Sequence, residues 1–186
     1  MRTKLNIRQA VILAGGLGKR LKKITKKTPK PLIKVGKKSF IDYIILNLKR
    51  FGIKRVLILT GYKSSFFYRK YHNKKIYNID IKCVKEKKLL GTGGAILNAK
   101  KKLDDVFLLC NGDTYFDFNI NDLIQSTKSR TVLNMALTKN DLDNKRYTKI
   151  SIKKNKIVKL NCKNKSSNLI NTGFYVIRRK IIKFID

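Results

Sequence analysis

Residues 9–21 read QAVILAGGLGKRL, an apolar run followed at once by a turn that holds three glycines. The run from Gln9 to Ala14 shows no alternation of polar and apolar residues, which is typical of a strand buried on both faces of a sheet. Such a strand belongs in the middle of a parallel sheet. Glycines let a backbone approach an anion closely, and consecutive amides can bind phosphate oxygens. This stretch therefore predicts either a phosphate-binding loop or, as the alternative, an ordinary strand-to-helix turn.

Segments of alternating type follow this turn along the chain. Short β-branched runs predict strands at 55–60, 80–84, 106–111, 131–138 and 169–177. Apolar residues three or four positions apart predict helices at 39–52, at 64–71, from a Thr92 cap through Ala99, and at 119–128. Two further runs, 150–153 and 156–160, flank a Lys154-Asn155 turn and predict a β-hairpin.

This order of elements predicts the fold class. Strands that alternate with helices give an α/β domain with a Rossmann-like, mostly parallel sheet, helices on both faces and ligands at the carboxyl ends of the strands. The hairpin adds to the C-terminal part of the fold. Residues 1–186 show no linker or repeat, so we predict a single domain.

The formal charge of the chain is +34, from 45 lysines and arginines against 11 acidic residues. On its own this charge would suggest a nucleic acid or an anionic membrane as partner. The lysines are spread over every segment, however, and genome composition explains them. We therefore expect no specific nucleic acid and no membrane as partner. A chain without a long apolar run is expected to be cytoplasmic.

The cysteines and the single histidine give no metal-binding pattern. Cys83, Cys110 and Cys162 are widely separated, so they are predicted to be buried or partly buried thiols rather than zinc ligands. His72 stands in a polar stretch without an acidic neighbour and is predicted to be a solvated surface residue.

Thr28-Pro29-Lys30-Pro31 contains both prolines of the chain. A residue before proline is restricted to extended geometry, so the backbone at Lys30 is predicted to be stiff. A guanidinium and an ammonium together suit a triphosphate that loses pyrophosphate, and we predict Arg20 and Lys30 as the catalytic cations. With 45 basic residues in the chain, the alternative is an ordinary surface lysine.

Two later motifs complete the predicted site. The run LLGTGGA at 89–95 opens a helix, and its backbone can contact a base or ribose while Glu86 accepts from a base amine. Asp113, in Asn111-Gly112-Asp113, presents a carboxylate at the end of a buried strand, where it is a natural ligand for Mg²⁺. The alternatives are a plain glycine-rich helix start and a turn aspartate.

These four elements, in this order from Gln9 to about Ile177, resemble those of the sugar-phosphate nucleotidyltransferases, also called NDP-sugar pyrophosphorylases. The resemblance implies a nucleotide-diphospho-sugar transferase fold and transfer of a nucleotide from a nucleoside triphosphate to a sugar 1-phosphate, with Mg²⁺ and release of pyrophosphate, for cell-surface polysaccharide synthesis. Homo-oligomer formation is left open. The implied site residues are catalytic Arg20 and Lys30; nucleotide-binding Leu13, Ala14, Gly15, Gly16, Gly18, Glu86, Gly91 and Thr92; metal-binding Asp113; and sugar-phosphate-binding Lys163 and Asn171.

Within that family, the runs at 90–95 and 111–117 look most like the guanylyltransferases that act on D-glycero-D-manno-heptose 1-phosphate, and enzymes of mannose 1-phosphate are close behind. GTP is therefore the expected donor. Three positions depart from the family pattern: Thr148 replaces the glycine of Arg-Tyr-Gly, Cys162 replaces the glutamate of a Glu-Lys pair, and Lys19 replaces a small hydroxyl residue.

Family members normally continue past this chain's last residue and supply a second metal-binding aspartate there, so the chain is expected to be C-terminally short. Two competing interpretations remain at this stage. One is a catalytically impaired nucleotide-binding or regulatory subunit of the same fold, and the other is a nucleic-acid-binding module.

Overall fold

The computed structural model describes residues 5–18, 25–140, 149–160 and 167–185. The strands in these ranges are β1 Gln9–Ala14, β2 Lys34–Val35, β3 Lys38–Ser39, β4 Arg55–Thr60, β5 Lys74–Ile76, β6 Ile79–Lys85, β7 Val106–Asn111, β8 Leu133–Lys139, β9 Ile150–Lys153, β10 Lys156–Leu160 and β11 Leu169–Arg178. The helices are α1 Phe40–Arg50, α2 Ser64–Tyr71, α3 Gly91–Asn98 and α4 Ile120–Gln125. Short 3-10 segments occur at Lys30–Leu32, Lys100–Lys102 and Arg179–Phe184.

One seven-stranded sheet organises the molecule, in the order β5-β6-β4-β1-β7-β11-β8. Strand β1 pairs in parallel with β4 on one side and with β7 on the other, and β4 pairs in parallel with β6. Strands β5 and β11 pair antiparallel with their neighbours. The predicted mostly parallel sheet is therefore confirmed, with β1 at its centre, and the predicted β9–β10 hairpin forms a separate two-stranded sheet.

The core lies on both faces of this sheet because neighbouring side chains of a strand point to opposite faces. In β1, Ala10 and Ile12 join the cluster under α1, α2 and α4, whereas Val11 joins the cluster under α3 and the last 3-10 segment. All three side chains are fully buried. Two-sided burial explains the unbroken apolar sequence of β1 and confirms helices on both faces.

Helix α1 begins and ends as its sequence predicts. Ser39 and Asp42 form a capping box, in which an Asp42 carboxylate oxygen accepts from the Ser39 backbone N–H at 3.0 Å. The buried Asp42 carboxylate also accepts from the Tyr71 hydroxyl at 2.7 Å and from the Lys70 ammonium at 3.0 Å. These bonds join the start of α1 to the end of α2.

Several local predictions were wrong. Helix α3 begins at Gly91 with Leu90 as its cap, so Thr92 lies inside the first turn instead of capping it. Helix α4 ends at Gln125 instead of Lys128, because the hydroxyls of Ser126 and Thr127 both bond the Leu123 carbonyl. Strand β5, which pairs with β6, was not predicted because its Lys-Lys-Ile sequence has no strand pattern.

His72 and the cysteines are more enclosed than surface residues. The Nδ1 atom of His72 accepts from the Cys83 backbone N–H at 3.0 Å, and its ring packs 4.4 Å from that of Tyr68. The prediction of a solvated histidine was therefore wrong. Cys83 and Cys110 are buried, as predicted, and Cys162 lies outside the described residues. Among the described helices, none has the length and apolar character needed to cross a membrane.

Candidate active site

The carboxyl ends of β6, β4, β1 and β7 meet at one edge of the sheet because these strands run parallel. Strands β4 and β6 are added on one side of β1 and β7 on the other, so the direction of sheet growth reverses between β1 and β7. Open α/β sheets bind ligands at such a point. A cavity of about 460 Å³ lies at this edge.

The cavity brings together residues that are far apart in the sequence. Ten of the predicted site residues line it: Leu13, Ala14, Gly15, Gly16, Gly18, Lys30, Glu86, Gly91, Thr92 and Asp113. The expected convergence of the glycine loop, the proline-flanked lysine and the distant carboxylate is thus what the structure has. The remaining lining residues, which were not predicted, are Leu17, Pro31, Leu89, Ala95 and Asn111. Each of these lies within a quoted motif, so only its role was missed.

The loop after β1 leaves no room for a side chain at Gly15. A Cβ atom there would lie 2.5 Å from Glu86 Oε1, well inside van der Waals contact. At Gly16, by contrast, a Cβ atom would meet no atom within 4 Å, so this residue borders open space. The loop backbone therefore packs closely on one side and faces the cavity on the other, as a phosphate-binding loop requires.

Lys30 and Asp113 form an ion pair inside this site. The Lys30 Nζ atom lies 2.7 Å from Asp113 Oδ2, with side chains 29% and 41% exposed. Ion pairs this exposed contribute about 0–1 kcal/mol. Ligands that bind either group can therefore replace the pair at small cost.

The backbone at both partners is fixed. Lys30 begins a 3-10 turn, closed by the Ile33 N–H on the Lys30 carbonyl at 3.2 Å, so our expectation of extended geometry at Lys30 was wrong. Pro31 is accepted there because the first positions of a helical turn need no N–H. On the other side, the Gly112 N–H donates to the Leu13 carbonyl at 2.8 Å. A Cβ atom at Gly112 would lie 2.7 Å from that same oxygen, so only glycine brings Asp113 this close to β1.

Glu86 provides a buried carboxylate at the α3 end of the cavity. It is 7% exposed, and its Oε2 atom accepts from the Leu90 backbone N–H at 2.9 Å. Two exposed apolar side chains, Leu17 and Leu89, also line the cavity. The lining therefore combines apolar surface with a fixed hydrogen-bond acceptor.

Of the two predicted sugar-phosphate residues, Asn171 alone belongs to the described part of the chain. Asn171 does not line it, and its side chain accepts from the Gly173 N–H at 2.7 Å and donates to the Tyr175 hydroxyl. It is connected to the site indirectly, since Gly173 packs against the Asn111 side chain. Lys163, catalytic Arg20, and the departures at Lys19, Thr148 and Cys162 lie outside the described residues.

A divalent cation fits the donor set at Asp113. Among the described residues no group of three histidine, cysteine, aspartate or glutamate side chains comes together. Magnesium is commonly held by one or two carboxylates, with substrate phosphates and waters as its other ligands. A single half-exposed carboxylate in the same cavity as the glycine loop meets that requirement.

Comparisons with known proteins identify the family of the chain. A family model described as Nucleotidyl transferase matches residues 9–186. The D-glycero-alpha-D-manno-heptose 1-phosphate guanylyltransferase of Campylobacter jejuni is 36% identical over 93% of this chain and 77% of its own length. The protein of the same name from Aneurinibacillus thermoaerophilus is 32% identical over 94% of this chain and 76% of its own.

A solved structure shows the same fold with a ligand. HddC from Yersinia pseudotuberculosis, complexed with GMP-PN, superposes with a TM-score of 0.81 at 30% identity. The match covers 95% of this chain and 79% of that one.

Proposed function

The chain belongs to the nucleotidyl transferase family, and we propose that it transfers a guanylyl group from GTP to a heptose or mannose 1-phosphate. The products are a GDP-sugar and pyrophosphate, and such sugars serve the synthesis of cell-surface polysaccharide. The observation that carries the proposal is the single cavity in which the glycine loop, Lys30, Glu86 and Asp113 meet.

The lining of the cavity suits both parts of a nucleotide. We assign the phosphates to backbone amides of the glycine loop and to the Lys30 ammonium, and the base to Glu86 and the exposed apolar side chains. An ionised carboxylate only accepts hydrogen bonds. Guanine carries two adjacent donors, its ring N–H and its amino group, whereas adenine has a donor beside an acceptor. Glu86 therefore favours guanine.

In the proposed reaction, an oxygen of the sugar phosphate attacks the α-phosphorus of GTP. A new P–O bond forms to the sugar phosphate, the bond between the α-phosphorus and its bridging oxygen breaks, and pyrophosphate leaves with that electron pair. Because both reactants are anions, catalysis comes from holding them together and neutralising charge. We assign the neutralisation of the leaving pyrophosphate to Lys30 and Arg20.

The Asp113 carboxylate is the residue that would hold Mg²⁺, and the bound ion would supply further neutralisation of phosphate charge. For this to happen Lys30 must leave Asp113. The phosphates of the nucleotide give Lys30 a new partner, so nucleotide binding and the opening of the ion pair favour each other. We assign Lys163 and Asn171 to the sugar phosphate.

The reaction is tested with purified protein, Mg²⁺, each common nucleoside triphosphate and both sugar 1-phosphates, with pyrophosphate as the readout. We expect pyrophosphate release with GTP that depends on the sugar phosphate. Binding of GTP without pyrophosphate release would instead favour the impaired-subunit alternative.

Replacing Glu86→Gln tests the base assignment. The amide offers one donor and one acceptor in place of two acceptors, so the preference for GTP over the other nucleotides should fall about 10- to 100-fold, the equivalent of losing about 1–3 kcal/mol of base discrimination. The measurement is kcat/KM for each nucleotide. Asp80→Asn removes an exposed carboxylate of β6 and should leave the preference unchanged. An unchanged preference in Glu86→Gln would remove Glu86 from base recognition.

A further inference from the structure

The turn at residues 61–63 contacts the glycine loop without lining the cavity. Residues 61–63 connect β4 to α2, and Gly61 lies directly against Gly15. A Cβ atom at Gly61 would lie 3.0 Å from the Gly15 carbonyl oxygen and 3.3 Å from the Gly15 Cα atom. The next residue, Tyr62, donates its backbone N–H to that same carbonyl at 3.3 Å. The position of Gly15 is therefore set by a backbone contact and a hydrogen bond from one turn.

The same turn also forms hydrogen bonds with Thr25 and Lys26, which follow the glycine loop in the sequence. The Tyr62 hydroxyl donates to the Thr25 carbonyl at 3.4 Å, and the Lys63 ammonium donates to the Lys26 carbonyl. Thr25 in turn donates its hydroxyl to the Gly18 carbonyl at 3.3 Å. Residues 61–63 thus contact Gly15, at the start of the glycine loop, and also Thr25 and Lys26 farther along the chain.

The contacts of the 61–63 turn with Gly15, Thr25 and Lys26 are not part of the hydrophobic core. The hydrophobic cores are filled by the strands and helices, whereas residues 61–63 are only half-buried. Within the site, their contacts with Gly15, Thr25 and Lys26 bear on the position of the glycine loop relative to Lys30 and Asp113.

We propose that the 61–63 turn is a positioning element for nucleotide binding, in which Gly61 sets how closely the Gly15 backbone approaches β4 and Tyr62 bonds both Gly15 and Thr25, the residue that donates to Gly18. The inference rests on the proposed function, since it assigns the turn to the same phosphate site. Misplacement of binding groups by about 1 Å can lower a rate about 10²-fold. A shift of a few tenths of an ångström should therefore have a measurable effect on nucleotide binding.

The decisive variant is Gly61→Ala. Its methyl group would lie 3.0 Å from the Gly15 carbonyl oxygen, so the two backbones must separate by a few tenths of an ångström. We expect the Kd for GTP to rise about 10-fold, with the KM for sugar phosphate nearly unchanged. Tyr62→Phe, which loses only the bond to Thr25, should raise the Kd about 2- to 5-fold. For each variant, calorimetric titration gives the Kd for GTP, and thermal unfolding gives the midpoint temperature.

Two matched controls separate positioning from general destabilisation. Gly52 follows α1 with a φ of +81° and open space around it, so Gly52→Ala strains the backbone without touching the glycine loop. Tyr68, like Tyr62, donates its hydroxyl to a backbone carbonyl, that of Cys83 at 3.2 Å. Gly52→Ala and Tyr68→Phe should lower the unfolding midpoint and leave the Kd for GTP as in the wild type.

Hydrogen exchange of the Tyr62 amide, which donates to the Gly15 carbonyl, gives a readout that does not depend on turnover. Faster exchange at Tyr62 in Gly61→Ala, with α1 unchanged, supports the inference even if the wild type releases no pyrophosphate and the proposed reaction fails. Wild-type exchange and wild-type GTP affinity in Gly61→Ala would overturn it. So would an equal loss of affinity in Gly52→Ala, because the effect would then be one of stability alone.

Discussion

The cavity edge of the sheet and the β9–β10 hairpin are both rich in β-branched residues, yet they are packed in opposite ways. In β1 the side chains of Val11 and Ile12 are fully buried, whereas in β10 those of Ile157 and Val158 are 41% and 59% exposed. Residues of the cavity edge are fixed by neighbours on both faces of the sheet. Among the described residues, the hairpin is joined to the main sheet through its first strand: Ile150 is buried, and a bridge pairs Lys149 with Ile170 of β11.

The hairpin nevertheless separates its apolar and charged side chains. A register shift between Ile157 and Lys159 places Ile157 opposite Ile152 and Leu160 opposite Ile150, so that these four apolar residues share one face. This difference indicates that the proposed nucleotide site is built into the core, whereas β10, which precedes the predicted sugar-phosphate residue Lys163 in the sequence, is largely exposed.

The proposed nucleotide site should respond most strongly to the loss of its cation. Lys30→Ala should lower kcat/KM about 10²- to 10³-fold, since it removes a charge aimed at the departing pyrophosphate. Stability should change by less than about 1 kcal/mol, because the Lys30–Asp113 pair is half-exposed. Steady-state kinetics and thermal unfolding measure the two effects separately. Lys34→Ala, an exposed lysine of β2, serves as the control. Full turnover in Lys30→Ala would exclude the role given to that lysine.

The same contrast explains which parts could be predicted from sequence. The bounds of β1, β4, β7, α2 and both hairpin strands were predicted to the residue, because their signals are local: apolar runs, periodicity and turn residues. The parallel ends of buried strands then bring the motifs that follow them together, so Lys30, Glu86 and Asp113 could be assigned to one site.

What could not be predicted depends on long-range packing. The close approach of Gly61 to Gly15 joins residues on two different strand ends, and no local pattern marks Gly61 as different from any turn glycine. The half-buried state of His72 depends on the Cys83 backbone beside it. The ion pair of Lys30 with Asp113 follows from the fold, since the two residues are separated by 83 positions.

A matched pair of core and hairpin substitutions tests the difference in packing directly. Ile58→Ala in β4 removes a fully buried side chain and should cost about 2–5 kcal/mol of unfolding free energy. Ile157→Ala in β10 removes one that is already 41% exposed and should cost less than about 1 kcal/mol. Denaturant titration of both variants gives the comparison. Equal costs would mean that the hairpin is as well supported as the sheet.

Two buried thiols of the sheet, those of Cys83 and Cys110, have raised pKa values. Burial raises the pKa of both the Cys83 and the Cys110 thiol to about 12. At pH 8 the reactive thiolate is then about 10⁻⁴ of each population, and the raised pKa keeps the thiol form until the pH approaches 12. Unfolding returns both groups to an ordinary pKa near 9, so the folded state loses stability as the pH rises from about 9 toward 12.

Iodoacetamide labelling at pH 8, read by peptide mass spectrometry, should therefore leave Cys83 and Cys110 unmodified in the folded protein and modify both in denaturant. Peptide mapping reads each cysteine separately, so Cys162 does not interfere. Cys110 directly precedes Asn111 at the cavity, which makes it a sensor of opening at that edge. Labelling of Cys110 in folded, active protein would show that β7 opens to solvent beside the site. Such labelling would count against a rigid cavity edge, because a reagent can reach a buried thiol only through local opening.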